Sequence, residues 1–245
     1  MKEKQCFGTS YGIHTMRQQL LSIIIPTYNE EAIIAGFLQA ILSITKNKTM
    51  VEIIVSDAST DHTAEIVSAF PVTLCNSAKG RSRQMNSGAA VARGEIFYFL
   101  HADTIPPVTF IEDIRAAVTA GKKAGCFRMH FDDTNPIMEL YGWFTRFPLQ
   151  LCRGGDQSLF LEKALFTAIK GFDESLTIME DFDIISRIKH GMKFHIINSQ
   201  VTTSSRKYHD NGIIRLQFIF GTIHLMYALG CSQKTITYYY RKHIS

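Results

Sequence analysis

The stretch GEIFYFLHADT, residues 94–104, decides the fold. Its apolar run, Ile96 to Leu100, stops at His101, Ala102 and Asp103, and Pro106 and Pro107 prevent the strand from continuing. Such a run reads as a strand buried on both faces, the kind found in parallel sheets covered by helices. It delivers one carboxylate to its carboxyl end, where open α/β sheets bind their ligands. Asp103 is therefore a candidate metal or phosphate ligand. The alternative is that it caps the helix following Pro107.

The same pattern recurs three times upstream. Leu21 to Ile25 (LSIII), closed by Pro26, predicts a buried strand. The following PTYNEEAIIAGFLQAIL predicts a turn and a helix, with Asn29 as N-cap and Ile33, Ile34, Phe37, Leu38 and Ile41 at helical spacing. Val51 to Val55 ends at Asp57, before a helix starting near Asp61. Val72 to Cys75 leads through Lys79, Gly80, Arg81 and Arg83 into a helix over SRQMNSGAAVA. Strands alternating with helices over short connections predict a mostly parallel sheet with right-handed crossovers and helices on both faces. Tyr28 to Glu30, Asp57, Lys79 to Arg83 and Asp103 then converge on one edge of the sheet, a place for a nucleotide or similar ligand. Neither GxGxxG nor GxxxxGK[ST] occurs at these turns, which argues against a dinucleotide fold and a P-loop.

Beyond Ala120 the regularity changes. Gly125 to Phe131 alternates as a strand, Ile137 to Phe147 is aromatic-rich and holds the one tryptophan, and Arg153 to Leu161 (RGGDQSLFL) joins a glycine turn to a short strand. Thr177 to His190 predicts a helix with Glu180, Asp181 and Asp183 in its first turn, and Phe194 to Ile197 another short strand. Arg215 to Tyr240 is apolar nearly all round, which predicts a buried helix or one lying against a membrane.

Composition narrows the class. With 245 residues, 46% hydrophobic and 20% charged, the chain has the make-up of a globular α/β protein and not of a disordered one. A net charge of +4 without a long basic block gives little support to nucleic-acid binding. Five widely spaced cysteines without a CxxC pair predict reduced thiols and a cytoplasmic setting. The first 19 residues lack the apolar core of a signal peptide and read as a loosely docked or disordered lead-in.

Six elements occur in order: IIIPTYNE at 23–30, VSDASTDHT at 55–63, GRSRQMNSGAAVARGE at 80–95, FLHADT at 99–104, GGDQSLF at 154–160 and MEDFDIISR at 179–187. Together they resemble the family-two glycosyltransferases, whose fold is called GT-A, over about Leu21 to Lys207. The HADT form, the RSRQMN stretch, GGDQ and the later SSRKY are most similar to the radical-SAM/selenodomain-associated subgroup, some of whose members are linked to arsenosugar biosynthesis. The resemblance implies a GT-A domain over 20–210, with a nucleotide-sugar-binding half (20–120) and an acceptor and catalytic half (121–210). A C-terminal helical segment (211–245) follows.

The resemblance also implies roles. Pro26, Thr27, Tyr28 and Glu30 line the base and ribose pocket, and Asp57 accepts from the uracil or equivalent ring; the alternatives are a surface turn for Tyr28 and an Asx turn for Asp57. Arg81 and Arg83, at a helix start, meet the phosphates or are solvated surface charges. Asp103 holds Mn²⁺ or Mg²⁺, which offsets charge developing on the leaving diphosphate. Relatives often carry a second acid at this turn, where this chain has His101, expected to be a hydrogen-bonded structural histidine with metal ligation as the alternative. Asp181 is the general base that takes the acceptor hydroxyl proton, with Glu180 raising its pKa. The alternative is that both acids merely suit a helix N-terminus. Asp156 and Gln157, with Glu180, contact donor sugar or acceptor hydroxyls. Arg206, Lys207 and His209 close over the diphosphate or stay mobile surface charges.

The absence of QxxRW after the acidic pair points to single-sugar transfer. The expected activity is inverting transfer from a nucleotide sugar, UDP-linked, to a small-molecule or lipid-linked hydroxyl, in the cytoplasm or peripheral to a membrane. The competing readings are a polyprenyl-phosphate glycosyltransferase and a catalytically silent nucleotide-sugar binder.

Overall fold

The computed structural model describes residues 19–244; the lead-in expected over 1–19 lies, apart from Gln19, outside them. The first half alternates strand and helix: β1 (Leu21–Thr27), α1 (Ile34–Thr45), β2 (Val51–Asp57), α2 (Thr63–Ser68), β3 (Thr73–Asn76), α3 (Arg81–Val91) and β4 (Ile96–Phe99). Then follow β5 (Thr104–Ile105), α4 (Phe110–Thr119), β6 (Ala124–Phe131), α5 (Pro136–Phe144), β7 (Leu159–Glu162), α6 (Lys163–Ala168), α7 (Glu180–Gly191) and β8 (His195–Thr203). Three helices end the chain: α8 (Arg206–Asn211), α9 (Ile213–Ala228) and α10 (Gln233–His243).

All eight strands form one sheet in the order β3-β2-β1-β4-β7-β6-β8-β5. From β3 to β4 every pairing is parallel, as the alternating pattern requires. Beyond β4 the sheet is mixed: β7 runs antiparallel to β4 and β6, β6 is parallel to β8, and β5 is antiparallel to β8. The expectation of a mostly parallel sheet is thus met, with three of its four parallel pairings in the first half and the antiparallel ones where the regular alternation ends.

Successive strand residues point to opposite faces, and two helical layers cover them. Ile23, Ile25 and Tyr98 pack with α1, α2 and α4, whereas Ile24, Phe97 and Phe99 pack with α3, α6 and α7. The α3 layer sits so close to β1 that a Cβ at Gly88 would fall 2.5 Å from Ile24 Cγ2. A third apolar cluster joins Phe131 and Met138 to Tyr208, Leu216, Ile219, Ile223 and Ile236 from the last three helices.

Four local expectations are corrected. Asn29 does not cap α1, which starts four residues after Glu30; its backbone has φ 56° and its side chain instead accepts from Thr60 N at 2.9 Å. Asp103 does not cap α4, whose N-terminal flank is Thr109. The strand expected over Phe194 to Ile197 runs on to Thr203. The apolar segment Arg215 to Tyr240 is two helices: Gly230, at φ 72°, ends one turn, and Ser232 caps the next by accepting from Thr235 N at 3.2 Å.

Candidate active site

The carboxyl ends of β1 and β2 are tied together by side chains. Asp57, 4% exposed, accepts from Thr27 Oγ1 at 2.7 Å, Ser59 Oγ at 2.6 Å and Ser59 N at 3.0 Å. This is the Asx turn that the sequence offered as the alternative reading, and it fixes the loop. Ser59 Oγ in turn accepts from Asn29 N, and Thr63 Oγ1 accepts from Glu30 N. Gln84, buried on α3, donates to the carbonyls of Thr27 and Ser56 and locks both strand ends from below. Nothing in its local pattern set Gln84 apart from a surface glutamine.

Pro26 and Tyr28 lie half-buried at the rim of this loop pair. Lys79 Nζ sits 3.8 Å from the centre of the Tyr28 ring, an ammonium over an aromatic face. Its hydrogen bond to the phenol holds the Tyr28 pKa below the usual value. Glu30 is shifted up, first by burial and then by the charge of Asp103, which places the two carboxylates in one electrostatic neighbourhood.

Asp103 lies in the turn between β4 and β5, closed by Thr104 N donating to His101 O at 3.1 Å. The pairing of β5 with β8 brings Ser204 N to Asp103 O at 3.1 Å, so Arg206 and Lys207 begin α8 beside this turn. A single 3-10 turn, Gly155–Gln157, brings Asp156 to the same place. One ligand atom each from His101, Asp103 and Asp156 lie within 4.8 Å of one another, a set that could hold a divalent cation. His101 is 7% exposed, with Nδ1 3.7 Å from Asp156 Oδ1. Burial and Arg81 oppose its charge, but Asp156, Asp181 and Asp103 outweigh them and raise its pKa. Asp156 is lowered: burial opposes its charge, and His101, Lys207 and Arg81 more than compensate.

The start of α7 completes the cluster. Met179 takes φ 75°, turning the chain so that Glu180 goes inward, 5% exposed, to Arg81 Nη1 at 3.2 Å. Four carboxylates, Glu180, Asp181, Asp156 and Asp103, outweigh the burial of Arg81 and hold its pKa above the usual value. Asp181 moves the other way, pushed up to about 6 first by burial and then by Glu180. A Cβ at Gly155 would overlap both Asp181 Oδ2 and His101 Cε1, so this glycine's backbone touches both groups. Asn29, Ser158 and Met179, all at positive φ without being glycine, mark strained backbone in three loops of this one cleft.

Three expected residues make other contacts. Arg83 pairs with Glu174 at 3.9 Å, both about half exposed, leaving Arg81 as the arginine at the acidic cluster. Gln157 is 4% exposed and turned inward: it accepts from Arg153 Nη1 at 2.6 Å and donates to Cys152 O, so its amide braces the loop. Arg153, which drew no notice in the sequence, is 3% exposed and also donates to the carbonyls of Thr145 and Phe147. His209 meets Asp133 at 2.5 Å, on the side of α8 that packs toward the loop after β6.

Solved structures confirm the fold. The mannosyltransferase PcManGT from Pyrobaculum calidifontis, solved with GDP-Man and Mn²⁺, superposes with a TM-score of 0.64 at 19% identity, covering 86% of this chain and 63% of that one. S. aureus TarS 1-349, solved with UDP, gives 0.60 at 19% identity, covering 82% and 65%. Both place the chain in the GT-A fold. Among curated sequences, the probable glycosyltransferase YdaM of Bacillus subtilis (strain 168) is 25% identical over 202 residues, 72% of this chain and 48% of that protein. Validoxylamine A glucosyltransferase of Streptomyces hygroscopicus subsp. limoneus is 28% identical over 171 residues, 63% and 38%. The chain thus spans half or less of the length of these two relatives. The glycosyl transferase family 2 model matches residues 22–172, from β1 to just beyond α6 and including the 3-10 turn that carries Asp156, and this chain belongs to that family.

Proposed function

We propose that the chain is an inverting glycosyltransferase moving one sugar from a nucleotide-sugar donor, UDP-linked, to an acceptor hydroxyl. The observation that carries this reading is the contact made by Gly155, which sets Asp181 against His101 of the cation-competent trio. A carboxylate base whose pKa is pushed up to about 6 thereby stands next to the place where a diphosphate would be held. The donor sets fit a hard divalent cation: Asp103 and Asp156 offer carboxylate oxygens, with His101 as a third ligand for Mn²⁺ more readily than for Mg²⁺. When bound, such a cation would offset the charge growing on the leaving diphosphate.

The chain's own residues do the rest. Tyr28 and the loop held by Asp57 bound the base pocket, with Pro26, Thr27 and Glu30 continuing its wall toward the phosphates. Arg81 faces the phosphates and also fixes Glu180. Asp181 takes the acceptor proton as the hydroxyl attacks the anomeric carbon from the face opposite the diphosphate, so one displacement inverts the configuration. Asp156 is positioned to meet donor or acceptor hydroxyls at the same mouth. The resemblance to the radical-SAM/selenodomain-associated subgroup, carried by His101 to Thr104 and Gly154 to Gln157, belongs to this proposal. The UDP and GDP-Man complexes of the two structural neighbours support a nucleotide-sugar donor.

The silent-binder reading rested on a missing second acid. Asp156, arriving from another loop, supplies one. The test is to incubate the protein with a panel of UDP- and GDP-sugars and Mn²⁺ and follow nucleoside diphosphate release. One donor turned over slowly by water and faster with an acceptor extract supports the reading; tight binding of every donor without release contradicts it.

A further inference from the structure

Helix α9 is apolar on the side it buries and on the side it does not. Leu216, Ile219 and Ile223 face the core, while positions 214, 218, 225 and 229, one stripe along the outward face, carry Ile, Phe, Leu and Leu, each more than half exposed. Phe218 and Leu229 are 75% and 73% exposed. Helix α5 lies alongside: Tyr141 shares a shallow groove with Ile214, Gln217 and Phe218, and Leu140 and Phe144 extend the apolar surface at 49% and 42% exposure. A contiguous apolar surface of this kind is unusual on a chain that keeps it in water.

The charge around it names its occupant. From Gly212 to the last residue there are four lysines and arginines, Arg215, Lys234, Arg241 and Lys242, and no acid, and α5 carries one acid, Glu139, whereas the chain as a whole is only +4. Cations rim the apolar stripe at its start: Arg215 donates to His243 O at 3.1 Å, which draws the basic end of α10, with Arg241 and Lys242, beside Ile214. At the end of α5, Arg146 lies 4.7 Å from the centre of the 42% exposed Trp143 ring. Exposed aliphatic and aromatic side chains framed by lysine, arginine, tryptophan and tyrosine match the boundary of an acidic bilayer. A symmetric second copy is disfavoured by the same charges, because a two-fold axis would bring this basic rim against itself. No helix among the described residues is long and apolar enough to cross a membrane, so the contact would be peripheral.

We propose that the α5–α9 face docks on a bilayer rich in acidic phospholipid. The proposal stands apart from the sugar-transfer reading, since it needs neither donor nor acceptor. The test is flotation of the full chain with vesicles of phosphatidylcholine alone or with about a third phosphatidylserine, beside Phe218→Ser/Leu225→Ser and Arg241→Gln/Lys242→Gln variants. The expected result is binding at least about tenfold stronger to the acidic vesicles, weakened by salt. The apolar double variant should lose about tenfold of it while keeping the wild-type melting temperature, and the charge variant should lose the preference for acidic lipid. Absence of flotation with acidic vesicles, or flotation unchanged in the serine variant, overturns the proposal. So does a wild-type dimer in sedimentation velocity that the serine variant dissociates, which would assign the face to a second copy.

Discussion

Arg81 Nη1 and Glu180 Oε1 meet at 3.2 Å although 99 residues separate them in the chain. The first opens α3 in the parallel half and the second opens α7 in the other half. Their pairing closes the cleft in which Asp103, Asp156 and Asp181 also lie. A buried carboxylate that loses the arginine paired with it keeps its desolvation cost, so Arg81→Ala should destabilise the protein by about 2 kcal/mol. Chemical denaturation would check this, and Glu180→Gln in the Arg81→Ala background should recover part of the loss.

Asp181→Asn should abolish sugar transfer by at least about a hundredfold while leaving nucleotide binding within about threefold of wild type, because the amide keeps the shape and loses the basic lone pair. Turnover and calorimetric binding on the same preparation separate the two effects.

The raised pKa of Asp181 fixes two pH effects of defined sign. As a base it must be ionised, so kcat/KM should fall as pH drops below about 6, by about tenfold per unit. For stability, an acid raised by burial and by Glu180 holds its proton more tightly folded than unfolded. Its contribution is therefore present below the unfolded value near 4 and lost as pH rises through about 6. Asp181→Asn should accordingly gain on the order of 1 kcal/mol over wild type near pH 8 and almost nothing near pH 4. Thermal melts at the two pH values would show it as a gap of a few degrees at the higher one only.

Gly155→Ala tests the contact between the two halves of the candidate chemistry. A methyl there overlaps Asp181 Oδ2 and His101 Cε1, so the loop or both side chains must move. Transfer should drop by at least about tenfold with little change in melting temperature, whereas Gly154→Ala, where a Cβ meets nothing within 4 Å, should behave as wild type.

The parallel half was legible because its signals are local. Leu21 to Ile25, Val51 to Val55 and Ile96 to Leu100 are continuous apolar runs ending at polar turns, and each became a buried strand. The second half depends on pairings that no local pattern encodes: β7 enters between β4 and β6 against the direction of its neighbours. The same distinction holds for the site. Asp103 and Asp181 could be singled out at element ends, but the arrival of Asp156 beside His101 requires the fold of the whole sheet. Gln157 misled and Arg153 passed unnoticed because a glycine-flanked polar turn normally faces water, and here it turns inward to satisfy carbonyls. The break at Gly230 was written in Gly-Cys-Ser, and the apolar residues on both sides obscured it.

The proposed function requires this cleft to hold a nucleoside diphosphate through a divalent cation at Asp103. Isothermal titration of UDP and GDP, with and without Mn²⁺, on wild type and Asp103→Ala tests it most directly. The account predicts that one nucleotide binds at least about tenfold more tightly with Mn²⁺ and that Asp103→Ala removes the enhancement. Binding of neither nucleotide, or binding indifferent to both the metal and Asp103, would contradict it.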